Sequence, residues 1–104
     1  MRKPTRRTTT DNRRTEQRRS VFFRTVLIES EMEGEPAEVV NIARAGFLTR
    51  TPVVRTLGTI IRLRLPVVGE RNAVVVWCAN GLLGGRFDDP IDEESFARLL
   101  GTLT

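Results

Sequence analysis

Histidine and tyrosine are missing from this 104-residue chain, and cysteine occurs once. Without histidine the chain lacks the side chain that most often serves as a general base, and also the commonest metal ligand. A lone thiol, Cys78, excludes an internal disulfide and is compatible with a reducing compartment. Cys78 follows Trp77 in an apolar run and reads as a packed thiol rather than a nucleophile. No apolar run reaches the roughly 18 residues of a membrane-crossing helix, so no membrane span is expected. The N-terminus is basic but has no apolar stretch behind it, unlike a secretory leader. The cytoplasm is therefore the expected location. Ser20, Ser30 and Ser95 stand outside any nucleophile-elbow context, and there is no P-loop or dinucleotide fingerprint. The carboxylates gather in a turn and at a helix start, where capping accounts for them. The chain is expected to be no enzyme and to carry no cofactor and no metal.

What is there is enough for one domain and too little for two. Hydrophobic residues make up 39% of the chain and are rich in Val, Leu and Ile, which favours strands. The net charge of +4 is unevenly spread. Residues 1–20 hold eight Arg or Lys against Asp11 and Glu16, a net of +6, whereas residues 21–104 hold nine basic and eleven acidic residues, a net of −2. A basic leader on a mildly acidic body attracts polyanions: nucleotides, nucleic acid or anionic lipid. Residues 1–12, polar and Thr-rich, read as a flexible basic tail. Residues 13–104 read as a single domain whose first part, 13–20, is an arginine-rich arm.

Along that domain the pattern is mostly β. Val21 to Ile28 is a β-rich run, and Ala37 to Ile42 and Phe47 to Thr49 are read as the next two strands. In Gly58 to Leu65 the apolar Ile61, Leu63 and Leu65 alternate with Arg62 and Arg64, the period of a half-buried strand. Pro66 to Asn72 is read as a turn, and Ala73 to Trp77 as a central apolar strand. Asn80-Gly81 predicts a tight turn into Leu82 to Phe87, where Gly84-Gly85 predict a bulge or a close backbone approach. Phe96, Leu99, Leu100 and Leu103 then share one helical face, with Asp92 as the expected N-cap and Gly101 as an early stop. About six short strands and one terminal helix predict a small antiparallel barrel.

Two groups of residues carry chemistry. The first is Arg14-Thr-Glu-Gln-Arg18, with Arg13 before it and Arg19 after it. Guanidinium groups are planar, permanently charged and forked, so they grip phosphate oxygens bidentately and match the O6/N7 edge of guanine. The second is Asn41-Ile-Ala-Arg-Ala-Gly46, at a predicted junction of two strands. An Asn there can hydrogen-bond a base edge, and a glycine lets a ligand approach the backbone.

In this order and with this strand pattern, the two groups resemble the PilZ family. Its RxxxR element is matched by Arg14–Arg18, and its [D/N]xSxxG element by Asn41–Gly46. Val75-Val76-Trp77 and Gly85-Arg86-Phe87 resemble later elements of the family, so the likeness spans residues 13 to about 101. One departure is Ala43, which stands where the family has serine. The resemblance implies a six-stranded antiparallel β-barrel with a C-terminal α-helix. It also implies a cyclic di-GMP receptor that orders its arm on binding and signals to a downstream protein partner. Arg13, Arg14, Arg18, Asn41, Ala43, Arg44 and Gly46 are the candidate ligand-binding residues. Arginine at position 13, just before RxxxR, implies two stacked ligand molecules per chain.

Two other readings remain. A degenerate PilZ domain could act only as a protein-interaction module. A basic-armed nucleic-acid-binding barrel is the third, and nucleic acid is disfavoured by the acidic body and the few aromatics, five Phe and Trp77.

Overall fold

The computed structural model describes residues 17–31 and 33–103. The predicted tail, 1–12, and most of the predicted arm, including Arg13 and Arg14, lie outside the described residues.

The described residues form six strands and one helix: β1 (Arg19–Ile28), β2 (Glu35–Ile42), β3 (Gly46–Arg50), β4 (Ile60–Leu65), β5 (Gly69–Ala79), β6 (Leu82–Phe87) and α1 (Glu93–Leu103). The strands close into an antiparallel barrel in the order β1-β2-β3-β6-β5-β4. The expected mostly-β barrel with a C-terminal helix is therefore what the chain forms. Period-two alternation fills its inside with Leu27, Val39, Phe47, Ile61, Leu63, Leu65, Val75, Leu83 and Phe87. The apolar face of α1 adds Phe96 and Leu99, with Leu100 and Leu103 partly buried against the same core. The seam where β4 meets β1 is short, with only Leu27↔Leu63 and Ile28↔Arg62 in register.

Beyond one- or two-residue extensions of β2 and β3, three features differ from the sequence reading. β1 starts at Arg19 because Arg19 and Ser20 already pair with Ile42 and Asn41, so the end of the predicted arm is strand. β5 starts at Gly69 rather than Ala73. Its polar first residues ladder against β4, and Glu70 forms ion pairs with Arg62 (3.0 Å) and Arg64 (3.1 Å). Gly101 does not end the helix, which runs on to Leu103. A mid-helix glycine costs about 1 kcal/mol relative to alanine, and Leu103 beyond it still packs on the core.

Other expectations hold. Asn80 and Gly81 have φ of 57° and 79°, the pair of positive values that a tight hairpin turn needs. Asp92 caps α1: its carboxylate accepts from the Ser95 N–H at 3.0 Å, and its carbonyl accepts from the Phe96 N–H at 2.9 Å.

Candidate functional site

Three β-bulges fall on one row across the barrel. In β1, Val21 and Phe22 face the single residue Val40; in β2, Val40 is the extra residue between the Val39↔Thr49 and Asn41↔Leu48 pairings; in β5, Val76 is the extra residue between the Val75↔Gly85 and Trp77↔Gly84 pairings. A bulge puts two residues where one belongs and re-aims the side chains. Here it turns apolar groups outward. Phe22 is 63% exposed, and Val76 and Trp77 are each 44% exposed. Ala73–Trp77 reads as a central apolar strand in sequence, but Val76 faces outward by alternation and the bulge brings Trp77 to the surface beside it.

A cavity of about 480 Å³ opens on this outer face. Arg18, Ala43, Gly46, Leu48, Trp77 and Arg86 are among the residues that line it. Glycines shape it. Gly84 sits opposite both Leu48 and Trp77 in register, and a Cβ added there would meet the Trp77 Cβ at 3.5 Å. At Gly46 an added Cβ would overlap the carbonyl oxygen of Gly85, so β3 and β6 can approach at this point only with glycine. Gly85 points inward, where an added Cβ would strike the Phe47 ring. Of the bulge or close approach expected at Gly84-Gly85, the bulge lies opposite them in β5, Gly85 leaves room for the Phe47 ring, and Gly84 makes only ordinary contacts.

The turn between β2 and β3 forms one wall and is tied down on every side. The Ala43 N–H donates to the Gly46 carbonyl at 2.8 Å, the Phe87 N–H to the Ala45 carbonyl at 2.8 Å, and the Ile91 N–H to the Arg44 carbonyl at 2.8 Å.

Electrostatically the cavity is cationic. Arg18 and Arg86 have no carboxylate partner among the described residues, whereas Arg24, Arg44, Arg55, Arg62, Arg64 and Arg98 all engage Glu side chains. Among the described residues, no carboxylate lines the cavity. Two permanent charges stand beside an indole, an arrangement suited to a planar, anionic ligand.

Of the sequence-predicted site residues, Arg18, Ala43 and Gly46 meet at this cavity. Asn41 sits opposite Leu48 and does not line the cavity; its side-chain Oδ1 is buried and without a hydrogen-bond donor among the described residues. Arg44 turns the other way. Its Nε donates to the Ile91 carbonyl at 2.6 Å and its guanidinium lies 3.6 Å from Glu93, so it fastens α1 to the β2–β3 turn. Arg13 and Arg14 lie outside the described residues. Arg86 and Trp77 were not among the predicted site residues. Alternation in Leu82–Phe87, with Leu83 and Phe87 as core, puts Arg86 on the outside and was the available signal.

No known family model matches the chain, and no curated protein matches it. Among the described residues, no helix is long and apolar enough to cross a membrane.

Proposed function

We propose that this chain is a PilZ-type receptor domain for cyclic di-GMP. The observation that carries the reading is that Arg18, from the RxxxR stretch, shares a cavity, lined by no carboxylate among the described residues, with the Ala43–Gly46 turn and the Trp77 indole. The ligand is a planar purine pair joined by two phosphates. An indole offers a base its π face, and base–aromatic stacking contributes about 1–3 kcal/mol per base. A guanidinium fork suits both a phosphate and the O6/N7 edge of guanine. The Asn41 side-chain Oδ1, buried and without a donor among the described residues, would accept from the N–H groups of a guanine edge only once the side chain turns towards the cavity. Arg13 and Arg14 complete the cationic side from the arm, and their engagement converts binding into a signal for a protein partner. With arginine at position 13 the site takes two stacked ligands, whose crowded phosphates need three or more guanidiniums nearby.

Isothermal calorimetry on the full chain tests this. The titration is expected to plateau at two ligands per chain and at one in Arg13→Leu. Arg14→Ala and Arg18→Ala should each weaken binding about ten- to a hundredfold, since a charge-assisted hydrogen bond contributes roughly 1.5–3 kcal/mol. Wild-type affinity in both alanine variants would sink the assignment.

A second reading is a PilZ-like module that binds only protein. It is favoured by the exposed apolar side chains on and beside the β3–β4 loop: Val54 is 83% exposed, Leu57 62% and Ile60 60%. A flat cyclic di-GMP titration of the wild-type chain would select it.

A further inference from the structure

Among the described residues Arg86 is the one strand arginine that lines the cavity beside Trp77, although Arg50 on β3 also lacks a carboxylate partner there. Arg62 and Arg64 on β4 share Glu70, and Arg24 on β1 meets Glu38 at 3.4 Å, the ordinary pattern of a solvated, charge-balanced face. Arg86 has no carboxylate partner among the described residues, although it lies in the middle of the sheet, with Gly46 of β3 on one side and Val74 of β5 on the other. Its neighbour Gly46 has no side chain, and Gly84, two residues earlier on the same face, has none either. Nothing from these two positions covers the guanidinium. The cavity beside it contains the exposed face of Trp77 and the second unpartnered cation, Arg18. Arg18 precedes the first strand, whereas Arg86 is held by laddered strands on both sides. The two cations of the cavity thus differ in kind: one borders the arm and the other belongs to the rigid barrel.

We propose that Arg86 is an arm-independent anion clamp of this site. Its guanidinium holds a phosphate of a guanine nucleotide whose base lies against Trp77, without needing Arg13 or Arg14. The inference rests on the cyclic di-GMP reading and deepens it, because it assigns a phosphate contact of that site to the laddered strands of the barrel. A preformed cation loses little freedom on binding, which is the advantage of building it on a strand. Forked geometry matters as well as charge, since an ammonium cannot bind a phosphate bidentately.

The test uses the full chain and two probes. Cyclic di-GMP is titrated by calorimetry. 5′-GMP, with one guanine and one phosphate, is titrated while the Arg86 Nε–H and Trp77 indole N–H signals are followed by NMR. Because Arg86 is exposed, its variants should fold. Arg86→Ala is expected to lower cyclic di-GMP affinity about ten- to a hundredfold, the range for losing a charge-assisted contact, and Arg86→Lys should recover only part of it. 5′-GMP should shift both signals in the wild type and in an Arg13→Ala/Arg14→Ala double variant, and should no longer shift Trp77 in Arg86→Ala. If the wild type binds cyclic di-GMP and Arg86→Ala binds it equally well, the clamp is overturned and the receptor reading stands. If the wild type ignores cyclic di-GMP but its 5′-GMP response depends on Arg86, the clamp stands and the receptor reading falls. Silence towards both ligands overturns both. A 5′-GMP response that disappears with Arg13 and Arg14 shows that the clamp depends on the arm, and overturns it in this form.

Discussion

Arg55 is the most deeply buried charge among the described residues, with its side chain only 4% exposed. Its Nε donates to Glu29 at 2.9 Å and its Nη2 to Glu35, so one guanidinium ties the β3–β4 loop to the end of β1 and the start of β2. Breaking a buried ion pair typically costs 3–5 kcal/mol, because the abandoned charges stay partly desolvated. Glu29 and Glu35 keep about a third of their side-chain surface in water, which moderates the loss. Arg55→Ala should therefore destabilise the chain by about 3 kcal/mol, read as a lower urea midpoint; a shift worth under about 1 kcal/mol would show that the loop is held by other contacts. At the helix start, the Ser95 backbone N–H, and then its hydroxyl, donate to the Asp92 carboxylate and hold its pKa below the usual 3.8. A carboxylate whose folded pKa is depressed adds stability above its unfolded pKa and loses it as pH falls through the folded one. The helical circular-dichroism signal of the wild type should thus approach that of Asp92→Ala on acidification and exceed it at neutral pH. Equal signals at neutral pH would mean that the cap contributes nothing.

Within β6, two adjacent glycines serve opposite faces. A methyl at Gly85 would run into the Phe47 ring inside the barrel, and overpacking of that kind costs about 1–3 kcal/mol. A methyl at Gly84 would meet Trp77 at 3.5 Å, an ordinary contact. Gly85→Ala should accordingly lower the melting temperature clearly. Gly84→Ala should melt close to wild type yet bind ligand more weakly, because the methyl narrows the cavity beside the indole. The reverse pairing would mean that the faces of β6 are misassigned. These elements also show how far the sequence can be read. Ile61, Leu63 and Leu65, the Asn80-Gly81 turn and the Asp92 cap were legible because each depends on neighbours within a few residues. The first turns of β5 were not, because GERN is polar and becomes strand only through Glu70 reaching across to Arg62 and Arg64. The outward turn of Trp77 was hidden for a related reason. A bulge breaks the alternation from which facing is inferred, and it arises in the pairing with β6 rather than in β5 itself. At the site, Arg18, Ala43 and Gly46 were legible as a motif, whereas Arg44, inside the same motif, is directed to Ile91 and Glu93 by a helix remote in sequence.

On the scale of the whole molecule, charge and topology divide the labour. The first twenty residues carry a net of +6 and the remainder a net of −2, so a bound anion would relieve repulsion among the guanidiniums of the leader. The barrel is closed, yet its closure is uneven. β4 and β5 share six register pairs, whereas β1 and β4 share two, supplemented by the Thr25 hydroxyl donating to the Arg64 carbonyl. Local opening begins where few backbone hydrogen bonds must break. Amide hydrogen exchange should therefore find the outer half of β1, Arg19 to Arg24, trading protons well before Ala73 to Val75 in β5; uniform protection around the ring would contradict this. The strand that leads out of the arm is thus also the stave by which the barrel breathes.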